Sequence, residues 1–253
     1  MTEAAAALPK TQRLGDAIAI DGGYQHRALT QGFVVQRFWH AEKSRMIGKF
    51  SRPAAGERVL DIGCGSGVIS DVLSSFGASV IAVDGNPGAI SYARRTFGQS
   101  GIEFRLGQVD DVTAEPRSID RSYCLEVIEH LYMNQVETLL RRVTDLTKPG
   151  GTLTLTTPNY RGIWPAIEWT LDSLKVVPHL DGDQHVTRFT AERLRNLLEQ
   201  TGWRVDLMTT FSTVAPWLSV AGWKLAERAA SLEDRMSLSW GSILFAVARK
   251  VDA

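Results

Sequence analysis

The segment VLDIGCGSG, residues 59–67, constrains this chain most: an apolar strand run passes straight into a turn with glycines at 63, 65 and 67, and a helical pattern follows. Glycine there supplies backbone conformations with positive φ and lets a nucleotide-like ligand approach the main chain where a side chain would otherwise stand. Asp84 closes the next apolar run, 21 positions after Gly63, where a carboxylate can accept hydrogen bonds from two ribose hydroxyls. A dinucleotide-binding turn, GxGxxG, needs Gly or Ala at position 68 for close helix packing beside a pyrophosphate. This chain has Val68, and its spacing is GxGxG preceded by Asp61.

Around that turn, short apolar runs alternate with helix-period segments. RVLDIG (58–63), SVIAVD (79–84), IEFRLG (102–107), RSYCLE (121–126) and GTLTLTTP (151–158) read as strands, and WRVDLMTTF (203–211) and SILFAVARK (242–250) complete the set. The alternation predicts an α/β fold: a Rossmann-like, mostly parallel seven-stranded sheet with helices on both faces. Gly77 ends a helix over 67–76, and Asn86 caps the next, with Pro87 at its first turn. A helix over 134–147 stops at KPGG, Thr190 caps one running to 201, and a last helix lies around 218–232. Residues 24–50 predict an N-terminal helical cover, residues 159–189 an inserted lid too long for a crossover loop, and residues 1–23 disorder. The whole chain, 1–253, reads as one domain with these decorations.

Composition excludes several classes. Lys plus Arg and Asp plus Glu are each 28, so no net field favours a polyanionic partner such as nucleic acid. Cys64 and Cys124 stand far apart without metal-finger spacing, which argues against a disulfide framework or a structural zinc site. The N-terminus has no signal-peptide pattern, so the expected setting is cytoplasmic. The uncharged stretch 207–223 contains Pro216 and five Ser or Thr residues, a poor membrane span.

On LDIGCGSG, with Asp84 and LGQVDD (106–111) in order behind it, the chain resembles the class I S-adenosylmethionine (SAM)-dependent methyltransferases over roughly residues 58–159. The resemblance implies that Asp61, Gly63 and Gly65 hold the amino-acid end of SAM, that Asp84 holds the ribose, and that Gln108 or Val109 meets the adenine edge. An acid commonly follows the glycine of LGQVDD in that family; here Gln108 stands in its place.

CLEVIEHL (124–131) follows the fourth strand at the sheet edge where open α/β sheets bind ligands. The spacing of Glu126, Glu129 and His130 would put them on one face of a helical turn, and His185 lies just before the helix at 190. Together with TTPN (156–159), these segments resemble the ubiquinone-biosynthesis O-methyltransferases and, more distantly, small-RNA 2'-O-methyltransferases, which use a Glu, Glu, His and distant His metal site. Three readings stay open. Glu126, Glu129, His130 and His185 can ligate a divalent metal; His130 or His185 can act as a general base on a hydroxyl; or Glu126 positions the SAM ammonium and the imidazoles are structural.

The expected activity is therefore methyl transfer from SAM, to oxygen of a small hydrophobic or aromatic metabolite. The alternatives are a 2'-O-methyltransferase acting on RNA and a non-catalytic SAM-binding protein, with a nicotinamide oxidoreductase disfavoured by Val68. Trp164, Trp169, Trp217 and Trp223, with Phe33, Phe38 and Trp39, can line an apolar acceptor pocket, rest against a membrane surface as a peripheral contact, or simply pack. Arg161, Lys175, Arg188 and Arg193 are candidates for an acidic group on the acceptor.

Overall fold

A computed structural model of the chain describes residues 21–112, 114–174, 185–236 and 238–251. Residues 1–20 of the predicted disordered start, and 175–184 of the predicted lid with Lys175, lie outside the described residues. Residues 21–23 depart from the expected disorder: they form a turn in which Tyr24 N–H donates to the Asp21 carbonyl (2.9 Å) and Asp21 pairs with Arg27.

Seven strands form one sheet: β1 (Arg58–Ile62), β2 (Ser79–Asp84), β3 (Glu103–Leu106), β4 (Ile119–Leu125), β5 (Thr147–Pro158), β6 (Trp203–Phe211) and β7 (Ile243–Lys250). Their order across the sheet is β3-β2-β1-β4-β5-β7-β6, with β7 antiparallel to both neighbours and every other pair parallel. The order reverses between β1 and β4, and at such a switch point the carboxyl ends of the strands diverge and open a crevice.

Strand alternation sends successive residues to opposite faces. Leu60, Ile62, Ile81 and Val83 face α5 (Met133–Leu146) and α7 (Ala191–Gln200), whereas Val59, Val80 and Ala82 face α3 (Val68–Ser75) and α4 (Pro87–Phe97). Helix α5 buries Val136, Leu139, Leu140, Val143 and Leu146, the periodic set in the sequence; each contributes about 1.5–3 kcal/mol. Asn86 caps α4 by accepting from Gly88 and Ala89 N–H, and Thr190 caps α7 by accepting from Arg193 N–H.

The cover elements are α1 (Tyr24–Gln31), α2 (Val34–Phe50), α6 (Trp164–Leu174), α8 (Ala215–Leu218) and α9 (Trp223–Met236). The single late helix expected around 218–232 is two, separated at Gly222, whose φ of +151° leaves the helical region. KPGG also behaves differently. Pairing already begins at Thr147, opposite Ile119, and the ladder shifts register before Arg121, so these residues form an irregularity inside β5. The inserted segment is pinned at both roots: Asn159 bridges Phe189, and Thr187 N–H donates to the Glu129 carbonyl at 3.1 Å.

Candidate active site

The glycine turn sits at the carboxyl end of β1, beside the switch point. Gly63, Gly65 and Gly67 all have positive φ (69°, 51° and 85°), which explains their composition. The amides of Gly63 and Cys64 donate to the Val83 carbonyl, Gly65 N–H to Asp84 Oδ2 (2.8 Å), Gly67 N–H to the Cys64 carbonyl, and Ser66 N–H to Gln25 Oε1 (3.2 Å). Five successive amides are thus engaged within the protein and do not present the open nest a pyrophosphate requires. Asp84 also accepts from Asn86 N–H at 2.7 Å, so both carboxylate oxygens are fixed while lone pairs remain.

The cleft in front of the turn is lined by Gln25 from α1, His40 and Lys43 from α2, and Asp61, Gly63 and Val68 from the β1–α3 unit, among others. Asp61 is buried and accepts from Ser70 Oγ at 2.6 Å. Burial, with Asp84 nearby, raises its carboxyl to about 7 despite that hydrogen bond. Burial and the Lys43 cation lower His40 to about 4, so its ring is neutral. Lys43 is buried and pairs with Glu126. Burial alone would raise Glu126, yet the Lys43 cation outweighs it and holds the carboxyl below its usual range.

Glu126 itself has φ +55°, a left-handed conformation uncommon outside glycine, at the point where β4 ends. That strained residue corrects one expectation. Glu126 does not share a helical face with Glu129 and His130, because regular helix is absent there: only a three-residue 3₁₀ turn, Ile128–His130, follows. Glu129, His130 and His185 nonetheless converge, their ligand atoms all lying within 4.8 Å of one another, and the two imidazole centroids are 5.2 Å apart. The converging group is three residues without Glu126. Glu129 is buried, accepts from Thr157 Oγ1 at 3.0 Å, and is raised to about 8 by burial and by the neighbouring Glu126 charge. His185 Nδ1 lies 2.7 Å from Glu168 Oε1, and Tyr160 Oη donates to the same oxygen at 3.0 Å.

Gln108 and Val109 stand past the end of β3, outside the cleft lining. Gln108 is exposed with its amide given to Asp111, while the Val109 side chain belongs to the core. The aromatics split into two groups instead of lining one pocket. Trp39 and Trp164 pack together (6.0 Å), with His185 beside Trp164 (5.8 Å), whereas Phe38 packs on Trp223 (4.9 Å). Phe33, Trp169 and Trp217 are exposed. Arg188 lies over the Tyr160 ring, and Arg193 over Phe189.

Sequence reasoning missed Gln25, His40, Lys43, Tyr160 and Glu168. A signal existed for Lys43: on α2 it falls, with Glu42, on the buried stripe of Phe38, Met46 and Ile47, where a charge demands a partner. Glu168 carried none beyond being an acid in an otherwise apolar helix start.

This sheet order, with a glycine turn facing an acid at the end of β2, defines a class I SAM-dependent methyltransferase. The profile of the methyltransferase domain family matches residues 34–207, and the chain belongs to that family. A ubiquinone biosynthesis O-methyltransferase of Xanthomonas euvesicatoria pv. vesicatoria is 40% identical over 108 residues, 42% of this chain and 44% of that protein. The match thus spans less than half of that relative's length. The Azorhizobium caulinodans protein of the same name is 28% identical over 215 residues, 83% of this chain and 74% of its own. Among solved structures, a SAM-dependent methyltransferase from Mesorhizobium loti superposes with a TM-score of 0.61 at 20% identity, covering 83% of this chain and 98% of its own. Among the described residues, no helix is long and apolar enough to cross a membrane.

Proposed function

We propose that this methyltransferase transfers the methyl group of SAM to a hydroxyl oxygen of a small hydrophobic or aromatic acceptor. The observation that carries the reading is the Glu168–His185–His130 constellation, built at the carboxyl end of β4 and β5 next to the cofactor cleft. The names of the partial relatives support it as well.

SAM fits the cleft. Gly63 and Gly65 have positive φ, and a β-carbon on Gly63 would stand 2.3 Å from Val127, so the packed turn itself demands glycine. Asp61, Gly63 and Gly65 would receive the amino-acid end and Asp84 the ribose, with the adenine extending past the cleft lining to the end of β3, where Gln108 is exposed and only the backbone of Val109 could meet it. The Lys43 cation suits the SAM carboxylate, with Glu126 holding it in place.

The methyl group arrives already activated on a sulfonium, so the protein's work is alignment and removal of one proton from the acceptor. With a proton on Nδ1, which lies against both Glu168 Oε1 (2.7 Å) and Tyr160 Oη (2.9 Å), His185 would keep its lone pair on Nε2, the state required of a general base; a carboxylate at Glu168 favours that tautomer. The Trp39–Trp164 pair supplies an apolar wall beside that imidazole. In an alternative arrangement the donors of Glu129, His130 and His185 would hold a divalent cation; His185 Nε2 would then be a ligand instead of a base, and the cation would lower the pKa of an acceptor hydroxyl.

The test is product analysis. Labelled SAM with a panel of phenols and catechols should give methyl ethers, and His185→Ala should lower turnover by about 10²–10⁴ while SAM binding stays intact. Methyl transfer to nitrogen or carbon, or undiminished turnover of His185→Ala, would overturn the assignment.

A further inference from the structure

Helix α9 carries a feature that neither cofactor binding nor methyl transfer uses. Its buried residues Ala226, Ala230 and Glu233 lie along one side. With about 100° of rotation per residue, Leu225, Ala229, Leu232 and Met236 fall within about 60° of one another on the adjoining side. Leu225, Leu232 and Met236 are 47%, 56% and 60% exposed, high for a row of large apolar side chains. By the same geometry Lys224, Arg228 and Arg235 form a second row, spanning about 40°, immediately beside the apolar one and away from the core. All three are exposed, and none has an ion-pair partner among the described residues.

The acids of α9 are spent elsewhere. Glu233 accepts from the amides of Thr213, Val214 and Ala215, Asp234 pairs with Arg45 (2.6 Å) and Lys49 (2.7 Å), and Glu227 takes the Trp223 indole N–H (3.0 Å) on the far side. The outward face is therefore apolar and cationic together. Trp217 and Val220, in the segment leading into α9, are exposed as well.

We propose that this face of α9 docks on an anionic lipid bilayer, the helix lying in the interface plane with Leu225, Leu232 and Met236 immersed and the cationic row on lipid phosphates. An apolar row flanked by cations on one side matches a surface of headgroup anions over hydrocarbon. A second copy of the chain would bring the two cationic rows together, which disfavours self-association. Docking has a consequence for the site, because α9 packs through Ala226 and Ala230 on Phe38 of α2, the helix that carries His40 and Lys43 into the cofactor cleft.

Co-sedimentation with vesicles of phosphatidylcholine, and of phosphatidylcholine with a third of phosphatidylglycerol, tests this directly. The protein should sediment with the anionic vesicles and remain free of the neutral ones. The triple variant Lys224→Gln/Arg228→Gln/Arg235→Gln should lower the anionic partition by about tenfold or more. Leu225→Ser/Leu232→Ser/Met236→Ser should lower it comparably, with melting temperature and SAM affinity of both variants matching the parent. Equal partition to both vesicle types, or undiminished binding by both variants, overturns the proposal. So does a dimer in light scattering that the serine variant dissolves, since the occupant would then be a second copy.

Discussion

The two ends of the crevice are built in opposite ways. On the proposed cofactor side, nine consecutive residues running from β1 into the glycine turn and one acid from the next strand define the surface, and the amides of residues 63–67 are already satisfied by protein acceptors. On the acceptor side, Glu129, His130, Tyr160, Glu168 and His185 come from three separate stretches, and the pair Glu126 and Glu129 is held out of balance, one carboxyl lowered and the other raised to about 8. The difference teaches where each function is encoded. The proposed cofactor side is a locally encoded turn with one acid, whereas the proposed acceptor side is a set of side chains that only the folded chain assembles.

Breaking the cofactor side should have the largest effect. Asp84→Ala removes a carboxylate that fixes Gly65 and Asn86 and would receive two ribose hydroxyls, so SAM affinity measured by calorimetry should fall by roughly a hundredfold or more. Retained affinity would mean that the turn binds its ligand without the acid, and the contrast between the two sides would collapse.

The acceptor side should instead reveal itself in stability. Below pH 4.5 Glu129 is protonated whether the chain is folded or unfolded. As pH rises above 4.5, the unfolded chain releases that proton while the buried carboxyl retains it until about 8. The stability associated with this group is therefore complete in acid and is lost progressively between those two values. Glu129→Gln mimics the protonated form and keeps an acceptor for Thr157. In chelator-treated protein it should be neutral near pH 4.5 and stabilising by on the order of 2–4 kcal/mol at pH 9. Equal melting shifts at both pH values would show that Glu129 ionises normally.

A smaller effect separates positioning from chemistry. Glu168→Gln leaves His185 in place but weakens the preference for the Nδ1–H tautomer, so kcat should fall by about tenfold with KM and SAM affinity nearly unchanged. Partial recovery with Glu168→Asp would support an orienting carboxylate; a loss seen only in SAM affinity would place Glu168 on the cofactor side.

These differences explain what could be read from the amino-acid sequence. The seven strands and most helix caps were legible, because strand alternation, Asn86-Pro87 and Thr190 act within a few residues of the structure they specify. The glycine turn and its acid, Asp84, could be placed at the ends of β1 and β2 for the same reason. Glu168 was not legible, since it becomes meaningful only when α6 folds over the sheet; Lys43 showed itself as a charge on the buried stripe of α2, but its partner Glu126 appears only in the folded chain. Glu126 was misread because helical spacing says nothing of the left-handed backbone that turns it toward Lys43.

The smallest expected effect tests whether the cofactor side is as self-contained as this contrast holds. Gln25 comes from α1, yet its Oε1 accepts from Ser66 N–H at 3.2 Å and fills the space over Gly65 that a ligand must enter. A ligand binding there gives up that hydrogen bond, whose net worth is about 0.5–1.5 kcal/mol. Gln25→Ala should accordingly tighten SAM binding by roughly two- to tenfold. Weaker binding would mean that Gln25 swings onto the cofactor, so that the turn, for all its local encoding, borrows a side chain from the cover just as the acceptor side does.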